Sequence, residues 1–163
     1  MRVDIIAIGN LEGLNKLQKL QLDNNIITKI QGLDHLEELR WLDLSFNMIE
    51  KIEGLSNLKY LEDLSLFNNK ITKLEGLEEL VHLNVLSVGS NELDNLEEQV
   101  LYLKSLNNNL QVLKIKNNKF KETGEKEYKN ENEAVKILKQ ILLDESEHRL
   151  KIHPNIFHRF SYT

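Results

Sequence analysis

A 22-residue period organises the first half of this chain. Leu39, Leu42, Leu44, Asn47, Ile49, Ile52, Leu55 and Leu58 set a template. Twenty-two positions earlier stand Leu17, Leu20, Leu22, Asn25, Ile27, Ile30, Leu33 and Leu36, and 22 later Leu61, Leu64, Leu66, Asn69, Ile71, Leu74, Leu77 and Leu80. A period of this size specifies a solenoid, because one copy is too small to close a core and must stack on its neighbours.

The halves of each copy differ in spacing. The Leu-x-Leu half alternates with period 2, which predicts a short strand, and strands of successive copies then pair in parallel. The Ile-xx-Ile-x-Gly-Leu-xx-Leu half has spacings of three, which suits 3₁₀ turns or short helices on the opposite, convex side. Asn25, Asn47, Asn69, Asn91 and Asn118 stand where the chain leaves the strand and its backbone loses ladder partners. A buried Asn has two donors and an acceptor, so it can bond to backbone in its own and adjacent turns. A fourth copy starts at Leu83 and is 27 residues long, with Gln99 where a leucine is due. Within it Val100, Leu103 and Leu106 have helical spacing, which predicts an α-helix over Leu96–Leu106 on the convex side. Leu110, Leu113, Ile115, Asn118 and Phe120 make a terminal half-copy.

Residues 1–16 read as half a copy, with Ile5, Ile8, Leu11 and Leu14 in phase and no strand before them. Truncation is the favoured expectation, and a partner covering that end the other. Residues 1–120 are therefore read as the solenoid and 121–132, KETGEKEYKNEN, as a charged linker. Residues 133–148 read as an amphipathic capping helix with a Val135, Leu138, Leu142 stripe, capped by Asn130 or Asn132. Residues 149–163 read as a tail containing Pro154, the single proline.

Charge and composition narrow the function. Net charge is -5, whereas a nucleic-acid scaffold needs a positive footprint, as does binding to an acidic membrane surface. The chain has no cysteine, so neither a disulfide framework nor a thiolate metal site can form. No run approaches the roughly 18 apolar residues of a membrane span, and the opening MRVDIIAIGN is too interrupted for a signal peptide. The expectation is an intracellular protein. No phosphate-cradling glycine loop, nucleophile elbow or His-Glu-xx-His occurs, so no catalytic residue, metal ligand or cofactor is assigned, and the chain is read as not an enzyme. His35 and His82 differ in template phase, and His148, His153 and His158 are spaced by five, which is not one helical face.

Outward strand positions line the concave surface of such a solenoid, the surface that commonly binds protein. The only Trp, Trp41, falls there, expected to point outward near Phe46 and Phe67, with Asp43, Asp63 and Asp23 around them. Aromatics rimmed by charge have the composition of a binding hot spot; the alternative is that the rings merely pack on one another. Lys114 and Lys116 lie at the far end, so the face runs from acidic to basic. Trp41, Asp43, Phe46, Asp63 and Phe67 are the partner-binding candidates.

The pattern LxxLxLxxNxI identifies a leucine-rich repeat solenoid, an α/β fold with a parallel sheet on the concave side. The 22-residue class, with Gly-Leu after the second isoleucine, resembles the regulatory subunit of type-1 protein phosphatase and several ciliary proteins. LRWLDLSFNMIEKIEGL and LEDLSLFNNKITKLEGL, in that order and followed by VLYLKSL, resemble the leucine-rich domain of the dynein regulatory complex subunit 3 family over about residues 10–120. That resemblance implies a non-enzymatic scaffold subunit of the nexin–dynein regulatory complex in the axoneme of motile cilia and flagella. Its partners would be coiled-coil subunits of that complex, near doublet microtubules and inner-arm dyneins, in the cytoskeleton of the cytoplasm. A phosphatase regulatory subunit, or another axonemal leucine-rich repeat protein, is the alternative. The family continues into a long coiled coil and this chain has a short helix and tail, so a fragment, a short paralogue and a divergent form all stay open.

Overall fold

The computed structural model describes residues 4–106 and 110–120. The expected linker, capping helix and tail, residues 121–163, lie outside the described residues, as do the last three histidines. The Leu-x-Leu halves form β1 (Lys19–Gln21), β2 (Trp41–Asp43), β3 (Asp63–Ser65) and β4 (Val85–Ser87). Then come α1 (Leu96–Ser105) and β5 (Val112–Lys114). The strands make one parallel sheet in the order β1-β2-β3-β4-β5. Leu20, Leu42, Leu64, Leu86 and Leu113 are in register across it.

Each strand is short because only its middle residue points inward before the chain turns. The centres of β2 to β5 are buried, and Leu20 of the edge strand β1 is partly so. The ladder extends beyond the strands: Leu44 N–H donates to Ser65 C=O (2.8 Å) and Phe46 N–H to Phe67 C=O (2.8 Å), and equivalent bonds recur in the other repeats. On the convex side, Leu36 N–H donates to Leu33 C=O and Leu39 N–H to Leu36 C=O, a pair repeated at Leu58/Leu61 and Leu80/Leu83. These are i→i+3 bonds of the 3₁₀ type, closed singly at every third residue. That spacing sends Leu33, Leu36 and Leu39 into one core, where all three are fully buried.

Two glycines are required by this stacking. Gly54 and Gly76 have φ of +67° and +69°, and a Cβ on either would stand 2.7 or 2.6 Å from the carbonyl oxygen of Ile30 or Ile52 in the turn before. Both the left-handed backbone and the close approach exclude a side chain.

The 27-residue spacing between Leu86 and Leu113 is taken up by α1. Asn95 caps it, its side-chain oxygen accepting from Glu98 N–H at 3.3 Å. Leu96, Val100 and Leu103 face the core. Gln99, the odd residue of the template, is buried as well: Leu74 N–H donates to its Oε1 (2.8 Å), and its Nε2 donates to Asp94 C=O (3.2 Å). The Tyr102 hydroxyl likewise accepts from Leu77 N–H (2.9 Å), and burial raises its pKa. The helix thus carries polar groups that satisfy backbone donors in the preceding repeat.

Candidate partner-binding face

The asparagines hold the face in place. Asn47 accepts from Ile27 N–H (2.9 Å) and donates to the carbonyls of Leu22, Leu44 and Ser45. Asn69 does the same with Ile49, Leu44, Leu66 and Phe67, and Asn91 with Ile71, Leu66, Val88 and Gly89. Asn25 accepts from Ile5 N–H and Asn118 from Leu93 N–H. Each side chain thereby ties its own turn to the one before it.

The residue before each ladder asparagine is left-handed: Asn24, Phe46, Asn68, Ser90 and Asn117 have φ between 54° and 60°. Asn tolerates this region, whereas a bulky residue there is a conformational outlier. Phe46 is that outlier, and the residue is 38% exposed. It meets Phe67 edge to face, with centroids 5.4 Å apart and planes at 67°. Phe67 in turn rests on Gly89, where a Cβ would lie 3.3 Å from the ring. Phe46, Phe67 and Gly89 thus form an aromatic shelf at the C-terminal ends of the strands.

Trp41 is not part of that shelf, contrary to the expectation that it lies near Phe46 and Phe67: among the described residues the ring contact is between the two phenylalanines and does not include it. It begins β2 and is in register with Lys19 on one side and Asp63 on the other. Phe67 lies four residues beyond Asp63, about 13 Å at strand rise. Trp41 is half-buried and outside the leucine core, facing the concave side as expected. The carboxylates also separate. Asp43 accepts from Ser45 N–H (2.9 Å), a local turn, and Asp23 accepts from the side chains of Gln21 and Asn24. Among the described residues no donor bonds to the Asp63 carboxylate. Its pKa is raised chiefly by burial, against the lowering pull of Lys114, and Asp43 adds to the rise.

Sequence reasoning missed the neighbouring edge. Arg40 pairs with Glu62 and lies over the Tyr60 ring at 5.9 Å; Tyr60 stacks on His82 at 5.6 Å and 8°. Beside this stack an open groove of about 410 Å³ is lined by Glu62, Asp63, His82, Asn84, Val85 and Gln111. The signal was available: Tyr60 and His82 are 22 residues apart, as are Arg40 and Glu62. Among the described residues no cluster of His, Asp and Glu could hold a metal ion, and no helix is long and apolar enough to cross a membrane.

Parallel three-residue strands, an asparagine ladder and a leucine interior define a leucine-rich repeat domain, and this chain carries one. Residues 4–49 match the family described as leucine rich repeat, and residues 37–79 the one described as leucine rich repeats in two copies. Among solved structures, an internalin (InlF) from Listeria monocytogenes is similar at 28% identity and a TM-score of 0.63, over 73% of this chain and 34% of that one. The Toll–Spätzle complex of Drosophila is similar at 26% identity and 0.58, over 68% of this chain and 16% of that one. This chain therefore spans about a third or less of the length of either. No curated protein matches its sequence.

Proposed function

We propose that this chain is a non-enzymatic scaffold that grips a protein partner on its concave face, with Phe46 as the central contact. The observation that carries this is a half-exposed phenylalanine held in left-handed backbone where the other repeats place Asn or Ser. Strain of this kind is retained where function needs it. On the strength of the WLDLSFN and EDLSLFNN resemblance, the setting we propose is the nexin–dynein regulatory complex of the ciliary axoneme. There the partner is a coiled-coil subunit, and the scaffold contributes to dynein regulation.

Phe46→Asn tests the contact. Asn removes backbone strain of about 1–2 kcal/mol, against an aromatic pair worth about 0.5–1.5 kcal/mol. The melting temperature should therefore hold or rise. Loss of a central anchor should weaken partner capture about thirtyfold, the equivalent of a 2 kcal/mol hot spot. A fall in melting temperature with capture unchanged would assign Phe46 to packing alone. Tagged chain incubated with salt-extracted axonemal protein and with cytosol tests the setting: recovery of type-1 phosphatase from cytosol, and nothing axonemal, would replace the ciliary reading.

A further inference from the structure

The groove beside Tyr60 and His82 is separate from the aromatic shelf, about 13 Å along the strands, and the shelf does not account for it. The chain already shows what this edge holds. Arg40 places a guanidinium over the Tyr60 ring while pairing with the Glu62 carboxylate, which stands 22 positions further on. One repeat later the position of Arg40 is occupied by Glu62 itself, and the ring of Tyr60 is replaced by His82. The second place therefore has the His82 ring, with Asn84 where the first has Glu62, and among the described residues no cation lies over that ring. The carboxylate left for a cation there is that of Asp63, since Glu62 is already paired with Arg40.

Asp63 adds to this imbalance. It lines the same groove, is half-buried, and has no hydrogen-bond donor among the described residues. Lys114, two strands away on β5, offsets its charge through space. Val85 gives the groove an apolar lining residue, and Asn84 and Gln111 supply further polar atoms. A planar cation suits these neighbours better than a compact one, since guanidinium stacks on rings and pairs with carboxylates through two N–H groups.

We infer that this groove is a subsite for an arginine side chain of the bound protein partner, seated between the His82 ring and the Asp63 carboxylate. The inference rests on the concave-face reading of the domain and adds a second contact of different chemistry.

The probe is N-acetyl-arginine amide, whose blocked ends mimic a residue within a chain, titrated into the full ¹⁵N-labelled chain. Capped lysine and capped citrulline are the comparisons. Saturable shifts should centre on the amides of Glu62, Asp63, His82 and Val85, several-fold tighter for arginine than for lysine and absent for citrulline. Asp63→Asn should weaken binding about tenfold or more, as loss of one partner of a charge-assisted pair does. Gln111→Lys, which puts a cation at the exposed rim, should do likewise with the spectrum otherwise unchanged. Equal shifts from arginine and lysine spread over distant carboxylates such as Glu97 would overturn the inference, as would undiminished arginine binding in Asp63→Asn. Phe46→Asn should leave arginine titration intact. A failed titration beside Phe46-dependent partner capture removes the groove alone; the reverse result removes the shelf alone.

Discussion

At the scale of single residues, the concave face contains two that sit against their own stability. Phe46 holds a backbone conformation that suits the asparagines of neighbouring repeats better. Asp63 keeps a carboxylate where burial disfavours its charge. Because the folded pKa lies above the unfolded value of 3.8, the folded chain binds that proton more tightly. The resulting stability is fully present below the unfolded value and is lost as pH rises through the raised one. Asp63→Asn removes the ionisable group, so it should melt higher than the native chain at pH 7. The two should converge only well below the unfolded value of 3.8, by about pH 3, where native Asp63 is protonated in both states. Thermal melts across pH 3–8 measure this; a native chain more stable than Asp63→Asn at pH 7 would mean that Lys114 outweighs burial. Both residues were legible in the sequence as outward positions. Their discomfort was not, because it depends on a backbone angle in one case and on the depth of a flanking strand in the other.

Among the elements, the repeats and α1 differ in how far pattern alone reaches. The leucine template specified five strands, their register and the placement of the helix, because each depends on which side chains must share an interior. It treated Gln99 as a break, whereas the structure buries it with both ends of the amide bonded. Counting apolar positions cannot reveal which backbone donors a wider repeat leaves open. The grouping of Trp41 with the phenylalanines failed for a similar reason: template position gives the face but not the distance along it. Gln99→Leu restores the consensus and should nonetheless destabilise the chain. An unpaired buried N–H at Leu74 costs about 1–3 kcal/mol, and the leucine recovers part of that through apolar burial. A net loss of ~1 kcal/mol in chemical denaturation is expected; equal or greater stability would show that water or backbone takes over the role of the amide.

For the whole molecule, stability is passed from turn to turn. Each repeat is bonded to its neighbours by one asparagine, one strand edge and a shared leucine layer, and outlying ion pairs such as Lys73–Glu98 at 2.7 Å lie on exposed surface where they add little. A solenoid of this kind behaves as a row of units coupled to their neighbours, so the effect of a lesion depends on where in the row it falls. Asn69 is buried in the middle and serves two turns, whereas Asn25 is half-exposed in the repeat of the edge strand β1. Asn69→Ala leaves the buried Ile49 N–H without its acceptor and takes one of two asparagine donors from each of the Leu44 and Leu66 carbonyls, which keep those of Asn47 and Asn91, and should cost about 2–3 kcal/mol. It should lower amide protection on both sides of the lesion. Asn25→Ala leaves the Ile5 N–H in an exposed setting where water can replace the lost bond, so about 1 kcal/mol or less is expected. Its loss of protection should be confined to the first repeat. Native-state hydrogen exchange separates the two patterns. If Asn25→Ala lowered protection as far as β4, the coupling between turns would be global, and the concave face would respond to a partner as one rigid body instead of repeat by repeat.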